Sequence, residues 1–284
     1  MAIFYNQATL SYKDNVINSN IVSGEIIDVL DADKTAIPTS YTPDDEITYI
    51  ISIVNSGTTA FTGLTITDNL GEYAFGTGTL VPLTFVEGSL RYFVNGVLQD
   101  VLTVTDEQPL TITGIDVPAD GNAIIVYRAK VNQFAPIELE SVITNTAVIS
   151  GNGLTEPLSI TSTINSSAEL NLTITKAINP ETVAENGELT YTFTIQNTGA
   201  IPAVASDNLI LTDTFDPVLD ISSVTFNGTV WTEGVNYTYN ETTGEFATIP
   251  GQITVPAADY TQDPTTGSWI VTPGVRVLRV TGTI

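Results

Sequence analysis

At 284 residues the chain is long enough for two domains of about 140 residues each. A hydrophobic content of 42% in regular alternation excludes a disordered polymer, and 32 acidic residues against 8 basic ones, a net charge of −24, disfavour nucleic acid and anionic membrane surfaces as partners. Cysteine and histidine are both absent, which removes disulfides, the commonest general base and the usual zinc and copper ligands, so turnover catalysis, a resident metal and a cofactor are not expected.

Abundant Val, Ile, Thr, Tyr and Phe, broken by frequent turn residues, predict an all-β sandwich architecture. The opening Met1-Ala2-Ile3-Phe4-Tyr5 lacks the basic segment and apolar run of a signal peptide. No apolar stretch approaches the roughly 18 residues of a membrane-spanning helix, so membrane insertion is not expected. The first predicted element is a strand: Ile3, Phe4, Tyr5, Asn6, Gln7, Ala8, Thr9, Leu10 and Ser11, with Phe4, Asn6, Ala8 and Leu10 on one face.

Beyond it the chain repeats itself. Residues 34–57 (KTAIPTSYTPDDEITYIISIVNSG) align without a gap to 176–199 (KAINPETVAENGELTYTFTIQNTG), identical at eight of 24 positions. Further landmarks follow in the same order: Ile66-Thr67-Asp68 with Leu211-Thr212-Asp213, Asn95-Gly96 with Asn227-Gly228, Val117-Pro118-Ala119 with Val255-Pro256-Ala257, and Val126-Tyr127-Arg128 with Val277-Leu278-Arg279. The Asn-Gly pairs suit tight hairpin turns.

The first copy continues past Arg128 into Ile143-Thr144-Asn145-Thr146-Ala147-Val148-Ile149-Ser150, which reads as a closing strand. The second copy has no such strand after Arg279, but Phe4 to Ser11 carries its pattern. Asn145 precedes Lys176 by 31 positions, and Asn6 precedes Lys34 by 28. The expected organisation is therefore an N-terminal donor strand and linker at 1–25, an immunoglobulin-like sandwich at 26–160, and a second, incomplete sandwich at 161–284. A tether from Tyr12 to Gly24 reaches about 45 Å when extended, enough to place the strand in the preceding sandwich of another copy. Copies of the chain itself are then the expected partners. A contact between two different surfaces, if rotation does not close it, generates an open polymer. A plain N-terminal arm pairing on the first sandwich is the alternative for this strand.

Strand parity also turns three polar residue types inward. Lys34 follows Leu30 and Ala32 in phase, and Lys176 follows Leu170, Leu172 and Ile174. Asp68 shares the face of Leu64 and Ile66, and Asp213 that of Leu209 and Leu211. Asn145 lies in phase with Ile143 and Ala147, as Asn6 does with Phe4 and Ala8. Glu46 and Glu188 fall on the outward face. Apolar surroundings lower the pKa of Lys and raise that of Asp, so a neutral amine can attack the Asn carboxamide while Asp68 or Asp213 shuttles protons and ammonia leaves. The products would be isopeptide bonds Lys34–Asn145 within a chain and Lys176–Asn6 between chains. A satisfied hydrogen-bonded cluster is the competing reading of the same residues.

The segments Lys34…Asp44-Asp45-Glu46-Ile47-Thr48-Tyr49…Asn55-Ser56-Gly57…Ile66-Thr67-Asp68 and Lys176…Asn186-Gly187-Glu188-Leu189-Thr190-Tyr191…Asn197-Thr198-Gly199…Leu211-Thr212-Asp213, with Asn145-Thr146-Ala147-Val148, resemble a conserved bacterial surface repeat, domain of unknown function eleven. The resemblance implies immunoglobulin-like sandwiches. Short versions without a signal peptide resemble appendage and coat proteins of clostridial endospores, released when the mother cell lyses. The implied function is a structural fibre subunit at a spore or cell surface; the alternative is a monomeric adhesin or glycan-binding module. Trp231, Tyr237, Tyr239, Tyr260 and Trp269 are candidates for sugar stacking or for core packing. Asp44-Asp45-Glu46 reads as a solvated turn, since it lacks the ordered ligand ladder of a calcium loop. Residues 151–167 read as a strand remnant and interdomain linker.

Overall fold

The computed structural model describes residues 2–26 and 29–284; the side chains of residues 2, 3, 25 and 26, including the predicted donor residue Ile3, lie outside the described set. The all-β expectation holds: among the described residues the only helical turn is a short 3-10 segment at Ala205–Asp207. The chain divides into two compact units, Met1–Thr39 with Asp44–Asn132 and Ile143–Ile164, and Ser40–Pro43 with Gln133–Val142 and Asn165–Ile284.

The predicted N-terminal strand is found as two shorter ones, β1 (Ala2–Asn6) and β2 (Thr9–Tyr12), interrupted at Gln7 and Ala8. They do not pair on the first sandwich. Instead β1 runs antiparallel to β4 (Val22–Ile26), and β2 to β3 (Asn15–Asn18). The register changes between Asn6 opposite Val22 and Thr9 opposite Asn18, so the hairpin bulges where the strand was expected to be continuous. Phe4, Tyr5, Leu10, Tyr12, Val16, Ile17, Ile21 and Val22 are all exposed.

The first unit is an immunoglobulin-like two-sheet sandwich. Its first sheet is built from β5 (Leu30–Ile37), β7 (Glu46–Asn55), β12 (Arg91–Val94), β13 (Val97–Leu98) and β16 (Gly121–Val131), ordered β13-β12-β16-β7-β5, with β11 (Leu83–Phe85) also on β16. The second sheet places β14 (Thr103–Glu107), β15 (Leu110–Val117), β8 (Phe61–Asp68), β17 (Val142–Ser150) and β18 (Leu158–Ser166) side by side; the last two residues of β18, Asn165 and Ser166, belong to the second unit, where they pair with the short β6 (Ser40–Tyr41). Alternation dictates the faces. In β7, Ile47, Tyr49, Ile51 and Ile53 are buried, and in β16, Ala123, Ile125, Tyr127, Ala129 and Val131. The small hairpin β9 (Tyr73–Phe75) with β10 (Gly78–Leu80) stands apart. Asn95 and Gly96 close the β12–β13 hairpin with φ of 49° and 78°, the left-handed pair required by the tight turn.

Residues 151–167 are more than a remnant. They hold β18, a nine-residue strand that buries Ile160, Ser162 and Ile164 on alternate positions. The Leu-Ser-Ile-Thr-Ser-Thr-Ile pattern has the period of a strand, which outweighs its polar composition.

The second unit repeats only part of this plan. β19 (Leu172–Asn179), β20 (Glu188–Asn197), β28 (Gly274–Thr283), β22 (Asp220–Phe226) and β23 (Thr229–Val230) form a sheet ordered β19-β20-β28-β22-β23, matching β5-β7-β16-β12-β13. Opposite it, among the described residues, lie three strands, β21 (Thr212–Thr214), β25 (Glu245–Thr248) and β24 (Tyr237–Asn240), ordered β21-β25-β24 and matching β8-β15-β14. An extra hairpin, β26 (Asp259–Gln262) with β27 (Trp269–Thr272), precedes β28. Phe193, Leu211, Phe215, Val224, Phe246 and Leu278 anchor the core. Trp231 and Tyr237 belong to that core and Tyr239 packs against it, so these three aromatics do not form a sugar platform.

Candidate cross-link and strand-acceptor sites

In the first unit the predicted Lys, Asp and Asn meet. β5 carries Lys34, β8 carries Asp68 at its end, and β17 carries Asn145; all three are buried. Lys34 Nζ donates to Asp68 Oδ2 at 2.7 Å and to the Asn145 backbone carbonyl at 3.2 Å. The same amine sits 5.0 Å from the centroid of the Tyr49 ring. Asp68 Oδ1 accepts the Leu70 amide at 2.9 Å, and its Oδ2 also accepts a short hydrogen bond from the Tyr127 hydroxyl. Asn145 Nδ2 reaches that hydroxyl at 3.5 Å, while Asn145 Oδ1 is buried with no hydrogen-bond partner.

Burial lowers the Lys34 pKa from 10.5 to about 8, against the opposing pull of the Asp68 charge and hydrogen bond. Burial, followed by the Asp68 charge, raises the Tyr127 phenol well above its ordinary value. Tyr127 was not among the residues expected here. Its phase with Ile125 and Ala129 placed it on the core face, but nothing in the sequence says that its hydroxyl would find Asp68 across the sandwich.

The second unit holds the same pair without the Asn. Lys176 on β19 and Asp213 on β21 form a short ion pair. The Lys176 amine is 4.5 Å from the Tyr191 ring centroid and 5.5 Å from those of Phe193 and Phe215. Tyr127 is replaced by Leu278, which matches it in the repeat. The expectation that Lys176 would be buried needs correction: its side chain is 40% exposed and that of Asp213 18%, where Lys34 and Asp68 are both at 0%. Parity was not the error. In the first unit β17 lies along β8, with Ala147 opposite Asp68, and covers the pair; β21 pairs with β25 alone among the described residues. The neighbouring apolar positions change in step: Leu30 and Ala36 are buried, whereas Leu172 is half-buried and Ile178 exposed.

Asn6, the other predicted partner of Lys176, lies on β1 opposite Val22 in the exposed hairpin. Asp44 pairs with Lys130 at 2.8 Å, and Glu46 with Arg128, which makes the Asp44-Asp45-Glu46 turn a set of surface ion pairs.

The sequence matches no protein-family profile and no curated protein. Solved structures with some similarity include the major pilin subunit BcpA of Bacillus cereus, at 12% identity and a TM-score of 0.38, with 95% of this chain and 73% of that one covered. The pilus backbone protein RrgB of Streptococcus pneumoniae gives 14% identity and a TM-score of 0.35 over 86% of this chain and 55% of its own. The collagen adhesin CNA of S. aureus gives 14% and 0.32 over 56% and 55%. The chain thus spans about half the length of the last two.

Proposed function

We propose that this chain is a structural subunit of an extracellular fibre at a spore or cell surface, the endospore being the location that its resemblance to clostridial appendage and coat proteins implies, and that copies join head to tail by donating N-terminal β-structure into the second unit. One observation carries the reading: among the described residues β8 is paired on both edges, whereas its counterpart β21 is paired on one. An unpaired edge beside an apolar slot favours pairing with another chain. On β19, Leu172 is half-buried and Ile178 exposed where their counterparts Leu30 and Ala36 are buried, and Phe4, Ala8 and Leu10 repeat the alternation of Ile143, Ala147 and Ile149, the buried face of β17. Each ladder hydrogen bond contributes about 0.5–1.5 kcal/mol net, and each large apolar side chain buried about 1.5–3 kcal/mol, so a strand of this length gives a firm joint.

The same reading includes covalent stapling. Lys34 Nζ attacks the Asn145 side-chain carbonyl carbon, the new N–C bond forms, and the C–Nδ2 bond breaks. Asp68 accepts the proton from the amine and delivers it to Nδ2, which leaves as ammonia. An amine with a pKa of about 8 is neutral in about one molecule in ten at pH 7. The orphaned Asn145 Oδ1 supports the covalent reading over a satisfied cluster, because a buried acceptor without a donor costs about 1–3 kcal/mol. Asp213 and Lys176 would act in the same way on Asn6 of another copy.

Electron microscopy and sedimentation of the full chain, beside a variant lacking residues 1–12, test the fibre reading. Filaments from the parent and monomers from the truncated chain are expected. A parent chain that stays monomeric, or a truncated chain that still polymerises, would remove strand donation.

A further inference from the structure

The gap in the second unit is two strands wide. In the first unit β8 is followed across the sheet by β17 and then β18; beside β21 neither has a counterpart among the described residues. The segment before β5 is likewise two strands wide: β1 and β2 form one limb and β3 and β4 the other, joined by a turn at Lys13 and Asp14. It holds the place in sequence before β5 that β17 and β18 hold before β19.

The faces also agree. β17 buries Ile143, Asn145, Ala147 and Ile149, and β18 buries Ile160, Ser162 and Ile164. In the hairpin, Phe4, Asn6, Ala8 and Leu10 share one face of the first limb. Residues directly opposite one another point to the same side of an antiparallel pair, so Ile17, opposite Leu10, and Val22, opposite Asn6, extend that face across the second limb. Phe4, Leu10, Ile17 and Val22, the large apolar residues of that face, are all exposed.

We propose that the donated element is the whole hairpin 2–26 of a second copy, entering the second unit as both missing strands. This rests on the strand-donation reading and fixes its partner surface. The register follows from the first unit, where Ala147 faces Asp68, Val148 faces Thr67 and Ile149 faces Ile66. Ala8 then lies opposite Asp213, Thr9 opposite Thr212 and Leu10 opposite Leu211, which brings Asn6 to Lys176 in the way Asn145 meets Lys34. The second limb covers the first, as β18 neighbours β17, and places Ile17 and Val22 over the slot.

Full-length Leu10→Asp, Ile17→Asp, Val22→Asp and Val16→Asp variants test this by assembly kinetics, followed by light scattering and microscopy. Val16 lies opposite Ser11 on the other face and controls for added charge in the hairpin. Burying an unpaired carboxylate is costly, so Leu10→Asp, Ile17→Asp and Val22→Asp are expected to slow assembly on the order of tenfold or more, with Val16→Asp close to the parent. If Ile17→Asp and Val22→Asp assemble like the parent while Leu10→Asp does not, a single strand is donated and the hairpin proposal falls. If Leu10→Asp also assembles normally, strand donation itself falls with it. If Val16→Asp is slowed as much as Val22→Asp, the assignment of the slot-facing side is overturned.

Discussion

Lys34 and Lys176 occupy the same position of two repeated sandwiches, each beside an aspartate on the opposite sheet, yet the Lys34 side chain is fully buried and that of Lys176 is 40% exposed. The pairs differ in what lies over them. β17 covers Lys34 and Asp68 and supplies Asn145; among the described residues no strand holds that place beside β21.

Formation of the Lys34–Asn145 bond is read directly by intact mass. Wild-type protein should be lighter than its sequence by about 17 Da, one ammonia, for each bond formed. Asn145→Ala and Lys34→Met should restore the full mass of the first unit. In assembled material, boiling in detergent should leave a ladder that Asn6→Ala or Lys176→Ala abolishes. Wild-type protein of unaltered mass would leave only the non-covalent joint.

Asp68→Ala should be among the most damaging substitutions in the first unit. It leaves the Lys34 amine buried without its 2.7 Å partner and strands the Tyr127 hydroxyl. Removing one member of a buried pair costs about 3–5 kcal/mol. The equivalent Asp213→Ala, at a partly solvated pair, should cost about 1 kcal/mol or less in the unassembled chain. Urea unfolding of each variant compares them.

The pH dependence of stability separates a free Lys34 amine from an acylated one. In Asn145→Ala, where Lys34 stays free, the folded state holds its proton less tightly than the unfolded state, with a pKa of about 8 against 10.5. Between these values the unfolded chain binds more protons, so stability should rise as the pH increases from about 8 towards 10. Above about 10 the raised Tyr127 pKa acts in the opposite direction, because the folded state then retains a proton that the unfolded state loses. The Lys34→Met/Asn145→Ala double variant should lose the rise. A wild-type chain that carries the proposed bond has no free Lys34 amine to titrate, so the rise should be absent there, whereas a wild type that shows the rise lacks the bond.

Asn55 and Asn197 should prove to be structural rather than reactive. Asn55 Nδ2 donates to the carbonyls of Thr59 at 2.8 Å and Pro118 at 2.9 Å, while its Oδ1 accepts the Gly57 amide at 2.9 Å. Asn197 repeats the set with Ile201, Pro256 and Gly199 at 2.7, 3.0 and 2.9 Å. Replacing either with Ala leaves these backbone groups without their side-chain partner and should cost about 2–4 kcal/mol by urea unfolding, with no mass change beyond that of the substitution.

Assembly should quicken with salt. A subunit carrying a net charge of −24 repels its own copies, and raising ionic strength from 0.01 to 0.15 M shortens the screening length from about 30 to about 8 Å. Light-scattering rates should therefore increase over that range, and a decrease would point to a joint dominated by attraction between opposite charges.

Much of this protein was legible one strand at a time. A period of two set which side chains face inward, so Lys34, Asp68 and Asn145 could be placed in the first core from local sequence alone, and Asn95-Gly96 announced its hairpin because few residue pairs accept two positive φ angles. The same parity placed Lys176 on the correct face but could not bury it, because burial depends on a strand from elsewhere. Tyr127 joined the site through packing between sheets, and the Asn55-Ser56-Gly57 motif became intelligible only when Thr59 and Pro118 arrived beside it.

The sequence by itself determined the alternation, the repeat and the inward direction of the lysines and aspartates, since each follows from local geometry and spacing. Only the tertiary structure decided that Lys34 meets Asp68 across the sandwich, that β1 and β2 pair with β4 and β3 and not with the first sandwich, and that among the described residues β21 keeps one edge unpaired. Those outcomes depend on which backbone edges and faces find partners, and the alternation within a strand does not carry that information.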